Sequence, residues 1–133
     1  MRRALVLFAP VFAAAAAAGC GGSGDQAGKV SAAAQSYVAA FTAHDAGATC
    51  RAMTEHSQEL VAEFAREHMH VNAATCAKAV ALLPPAPQGA KVGEVTVTGS
   101  RATAAVDGFD HPLLLVREHG TWRVQSAPSG ETD

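Results

Sequence analysis

The side chains of this sequence whose types could do chemistry are six histidines, a run of spaced glutamates and a small acid–histidine cluster. The histidines are His44, His56, His68, His70, His111 and His119. Imidazoles suit zinc or copper when several converge. In His68-x-His70 the two rings would share a face on a strand, but the segment reads as a helix end, where residues two apart point about 200° apart. Glu55, Glu59, Glu63 and Glu67 recur every four residues, the spacing of a solvated helix face. Metal binding through the histidines is therefore an alternative reading, and no metal ligand is assigned. Asp107, Asp110 and His111 sit in or beside a turn before Pro112, where such residues commonly serve turn geometry. The chain contains no glycine-rich phosphate loop, no serine elbow and no nucleophile with a placed base. No catalytic or cofactor-binding residue is assigned.

The three cysteines, Cys20, Cys50 and Cys76, carry more information. Met1-Arg2-Arg3 is a short positive segment, and Ala4 to Ala18 is an uncharged apolar run, the layout of a secretory signal. The run falls short of the roughly 20 residues that cross a bilayer, and Pro10 interrupts it. It closes on Ala17-Ala18-Gly19-Cys20, which resembles the lipobox of bacterial prolipoproteins; alanine stands at Ala17, where leucine is the commonest residue. That resemblance implies cleavage before Cys20, thioether attachment of diacylglycerol to its sulfur, and residence on the extracytoplasmic face of the cell membrane. Two or more acyl chains suffice for stable anchoring. Exported chains normally pair their cysteines. With Cys20 lipidated, Cys50 and Cys76 remain as an even pair, and the simplest expectation is a structural disulfide between them. Removing residues 1–19 takes away Arg2 and Arg3 and leaves 8 basic against 12 acidic residues, a formal −4. A nucleic-acid partner, which needs a concentrated basic surface, is not expected.

The remaining residues predict the elements that must position any site. Residues 1–19 read as signal, 20–28 as the lipidated cysteine with a flexible glycine-rich tether, 29–127 as one domain and 128–133 as a flexible tail. Val30, Ala33, Ala34, Tyr37, Val38 and Phe41 recur at helical spacing and predict a first helix ending near His44. Asp45 can cap a short helix through Met53, and Thr54 a third with Leu60, Val61 and Phe64 inward. Asn72 or Thr75 can start a fourth, with Cys76, Val80 and Leu83 on one face, before Pro84-Pro85-Ala86-Pro87 ends all helix. After Gly89 the period becomes two. Gly99-Ser100 and His119-Gly120 read as hairpin turns. About the first, Val97 should oppose Ala102, Val95 Ala104, and Gly93 Val106; about the second, Leu115 should oppose Val124, and Arg117 Trp122. Helices followed by an antiparallel meander form an α+β plan, with the helices on one face of about four strands. Only 5% of residues are aromatic, so Tyr37, Phe41, Phe64 and Trp122 are the expected large core anchors.

Residues Val30 to Ser126 resemble small exported domains of the nuclear transport factor 2-like, or cystatin-like, superfamily. The likeness rests on the long first helix Val30–Phe41 with Asp45 just after it, the cysteine-bearing short helices, the run Val92 to Val106, and Gly120-Thr121-Trp122-Arg123-Val124. It implies a long helix cupped by a curved sheet with a cone-shaped pocket between them, and either ligand binding or cavity chemistry of isomerase or dehydratase type. In such an enzyme an aspartate or histidine in the pocket serves as base, and Asp107, Asp110 and His111 are nearest by position. The leading expectation is a non-catalytic domain presenting its pocket or outer sheet face to a small apolar ligand or an envelope protein. The cavity enzyme is the rival.

Overall fold

In the computed structural model residues 23–125 are described. Cys20, the expected signal and the expected tail at 128–133 lie outside them. The order is four helices followed by four strands: α1 Ser23–Thr42, α2 Ala46–Arg51, α3 Glu55–His68, α4 Cys76–Ala81, β1 Val92–Thr98, β2 Arg101–Val106, β3 Leu113–Glu118 and β4 Thr121–Gln125. The strands form one open, curved antiparallel sheet in the order β1-β2-β3-β4, with helices packed on it, which is the expected α+β class.

The helices α2, α3 and α4 each start where a side chain can satisfy their first amides. Asp45 accepts from Ala48 N at 3.0 Å, Thr54 from Ser57 N at 3.1 Å, and Thr75 from Lys78 N at 3.2 Å. The first helix ends on His44, which adopts a left-handed conformation (φ 59°). Asp45 N then reaches Ala40 O at 2.9 Å and His44 N reaches Phe41 O at 3.2 Å, closing the last turn. Two boundaries differ from the sequence reading. The helix α1 begins at Ser23, so residues 23–28, read as tether, are helical. Two contacts offset the poor helix propensity of Gly24 and Gly28: Gln26 Oε1 accepts from Trp122 Nε1 at 2.7 Å, and Lys29 meets Asp25 at 3.5 Å. The helix α2 stops at Arg51 instead of Met53, because Ala52 to Thr54 are drawn out along the sheet. On α3 the buried side chains are Ser57, Ala62 and Ala65, while Leu60, Val61 and Phe64 are half-buried. Small residues face inward there because α3 packs closely on the segment carrying Ala74 and Ala79.

The second hairpin has the expected register, with Leu115 opposite Val124 and Arg117 opposite Trp122. Its turn residues His119 and Gly120 both have positive φ, as a two-residue turn of this twist requires. In the first hairpin Val97 opposes Ala102 and Val95 opposes Ala104, but Val106 faces Val92, not Gly93. A bulge at Gly93 and Glu94 shifts the ladder by one residue and turns Val92 to the covered side. Burying an isopropyl group in place of a glycine favours that slip.

The core lies between α1 and the inner sheet face. Val30, Ala34, Tyr37 and Val38 of α1 meet Ala102, Ala104, Val106, Leu113, Leu115, Trp122 and Val124. Of the four expected anchors, Trp122 and Tyr37 are buried, and Phe41 and Phe64 are half-buried. Burial raises the Tyr37 phenol above its ordinary value near 10. The folded state thus holds its proton more tightly than the unfolded chain, so stability is intact below about pH 10 and falls as pH rises beyond it. Base titration followed by Trp122 emission is expected to show this loss, and Tyr37→Phe should flatten the slope above pH 10. An equal slope in both proteins would refute the assignment.

Candidate functional site

The chain bends back on itself after α4, and that return builds a groove against α1. Prolines 84, 85 and 87 cannot continue a helix. Ala86 is buried, Ala90 N reaches Pro87 O at 3.3 Å, and Gly89 takes a positive φ of 77° that only a residue without Cβ adopts readily. Lys91 O then accepts from Asp107 N at 2.9 Å, tying the segment to the end of β2. Residues 88–92 therefore run as a fixed wall alongside the C-terminal half of α1.

Between this wall and α1 lies an open groove of about 740 Å³. Its apolar lining comes from Val38, Ala39, Ala43, Ala90 and Val92. Gln35, Thr42 and Gln88 supply amide and hydroxyl groups, and Lys91 is the one charged side chain among the described lining residues. A smaller depression of about 200 Å³ lies on the outer sheet face around Thr96, Thr98, Arg101, Leu114 and Gln125. The space directly between helix and sheet, where the family resemblance implies a cone-shaped pocket, is occupied by Tyr37, Leu115 and Trp122. The groove opens beside the helix instead.

Comparison with family models, with curated proteins and with solved structures finds no match.

The structure brings together one of the expected groups. Cys50 and Cys76 are bonded, joining α2 to α4. The histidines are dispersed: His44 Nε2 lies 3.2 Å from Ala81 O, His68 stacks on Phe64 with centroids 4.7 Å apart, and His56, His70, His111 and His119 are exposed. His68 ends α3, while His70 lies beyond it with φ 54°. Among the described residues no three His, Cys, Asp or Glu side chains converge on a point that could hold a metal ion. Glu55, Glu59, Glu63 and Glu67 are all exposed on α3. Asp107, Asp110 and His111 are exposed in the β2–β3 connection, and none of them lines the groove.

Reading the sequence alone missed Gln35, Thr42, Gln88 and Lys91 as groove residues. Gln35 and Thr42 lie off the apolar stripe of α1 and look merely solvated. The available signal was the proline-rich return Pro84–Pro87 followed by Gln88-Gly89, because a chain that stops a helix so sharply must come back past the preceding one.

Proposed function

We propose that this chain is a lipoprotein held on the extracytoplasmic face of the cell membrane through Cys20, and that it acts there as a non-catalytic binding domain. The groove between α1 and residues 88–92 is its binding site. The carrying observation is that groove's form: about 740 Å³, lined by apolar side chains with a few polar groups among them. Small-ligand sites run to roughly 300–1,000 Å³ with this mix of walls. A helix laid on a four-stranded antiparallel sheet is the arrangement a nuclear transport factor 2-like membership calls for, and we extend that assignment to this chain.

The anchor is supported by the lipobox-like segment and by cysteine parity, since the Cys50–Cys76 bond leaves Cys20 as the odd thiol. No helix of the described residues is long and apolar enough to cross a membrane. Three peptide steps separate Cys20 from Ser23, a span of at most about 11 Å.

Native mass spectrometry of the detergent-extracted protein tests both halves. The expected mass is that of the chain from Cys20 plus diacylglycerol, with any groove ligand appearing as a further adduct. Cys20→Ser is expected to move the protein out of the membrane fraction. A chain lacking diacylglycerol, or a serine variant that stays membrane-bound, would overturn the anchor.

A further inference from the structure

The two edges of the sheet are not equivalent. In an antiparallel ladder, alternate residues point their N–H and C=O groups to one neighbour and then to the other side. Around the turn at His119 and Gly120, Thr121, Arg123 and Gln125 bond inward to β3, so Val124 must face outward. It does, and its groups are taken: Val124 N donates to Ala52 O at 2.8 Å, and Thr54 N donates to Val124 O at 3.0 Å. The link between α2 and α3 thus covers the β4 edge at Val124, with Met53 bridging to Val124 in parallel.

The same count around Gly99 and Ser100 makes Thr98 and Thr96 exchange bonds with Arg101 and Thr103. Val95 and Val97 then direct two donors and two acceptors away from the sheet. Among the described residues nothing beyond β2 bonds to either of them. Open edges template further strands, and proteins normally cover or interrupt them. Here the edge is ended on one side only, by the bulge at Gly93 and Glu94.

Beyond that bulge β1 runs straight into the groove wall at Val92, Lys91 and Ala90. An added strand would therefore pair with Val95 and Val97 and continue into the groove beside Gln35, Val38 and Thr42. Lys91, with no carboxylate among the described lining residues, favours a negative charge on whatever enters. Lys91 stands four residues from Val95, at most about 13 Å along a strand and less across the bulge.

We propose that the β1 edge and the groove form one site for an extended peptide segment that adds as a strand and places a carboxylate at Lys91. The inference rests on the groove-binding reading above and names the class of its partner. Strand addition draws affinity from main-chain bonds and selectivity from flanking pockets, which fits one open edge ending in one cationic groove.

The test uses the detergent-solubilised full chain, immobilised and panned with a random decapeptide library displayed on phage. Selected peptides are expected to carry an aspartate or glutamate about four residues from the pairing segment. N-methylation along a selected peptide should weaken binding at alternate amides only, with period two, since every second N–H faces β1. Val95→Pro removes an outward donor while leaving the β1–β2 ladder intact, and should weaken binding about tenfold. Lys91→Gln should do so for carboxylate-bearing peptides. Selected peptides sensitive to Lys91→Gln but showing no alternation would overturn strand addition and leave groove binding standing. No selected peptide, with a small non-peptide adduct found by native mass spectrometry, would do the same. Neither peptide nor adduct would overturn both. A dimer dissociated by Val95→Pro would assign the edge to a second copy and overturn the inference.

Discussion

Replacing Cys50 and Cys76 together by alanine is expected to destabilise the fold by roughly 3–4 kcal/mol, the chain-entropy value for a loop closed over this separation. The bond spans 26 residues and joins two helices of six residues each. Helices this short are unstable by themselves in water, because so few hydrogen bonds follow the costly first turn. Apart from the bond, α4 is fixed by its Thr75 cap, by the burial of Ala79 and Val80, and by the His44 ring against Ala81 O. Both sulfurs belong to the main core, so truncation also removes packed volume. With about 4–8 °C per kcal/mol for a domain of this size, the thermal midpoint should fall by about 20 °C. Adding reductant to the unmodified protein should reproduce most of that shift. A fall of under about 5 °C would mean that packing alone holds α2 and α4, and that the bond adds little.

The second large effect is expected at Trp122, the single tryptophan. It is 5% exposed and lies between α1 and the sheet. Truncation to alanine removes the largest side chain of the core and should cost about 3–5 kcal/mol. Trp122→Phe keeps most of the packing and loses the bond from Nε1 to Gln26 Oε1, for about 1 kcal/mol. Urea titrations followed by circular dichroism separate the two costs. The phenylalanine variant carries a second, local expectation. Gln26 bonds the first turns of α1 to Trp122 of β4, so amide exchange at Asp25 to Lys29 should accelerate far more than exchange at Tyr37 or Val38. Equal exchange along the whole of α1 would show that the helix start does not depend on that contact.

The groove gives the clearest case of what could and could not be read beforehand. Its helical wall follows from the period of α1, and its other wall from the helix stop at Pro84 to Pro87. That these walls meet depends on Lys91 O bonding Asp107 N, a pairing sixteen residues apart that no local pattern encodes. The bulge is a similar case. Strict alternation over Glu94 to Thr98 predicts Gly93 opposite Val106, and the ladder keeps that register as far as Val95 before slipping to bury Val92. The start of α1 departs from the sequence expectation for the same reason: Gly21 to Gly28 has the composition of a tether, and the hydrogen bond made by Gln26 within it comes from Trp122, 96 residues away.

By itself the sequence determined the helix caps at Asp45 and Thr54, narrowed the fourth to Asn72 or Thr75, and determined the two hairpin turns, the α+β order and the expectation of a bond between Cys50 and Cys76. Each of these follows from periodicity, capping chemistry, turn conformation or cysteine parity, which act over a few residues or on composition. Only the tertiary structure decided that the link 52–54 covers one edge of the sheet at Val124 while, among the described residues, Val95 and Val97 leave the other open, and that a groove with one cation among its described lining residues lies at the end of that open edge. Backbone groups are alike in every residue, so which of them stay unpaired depends on what the fold brings alongside.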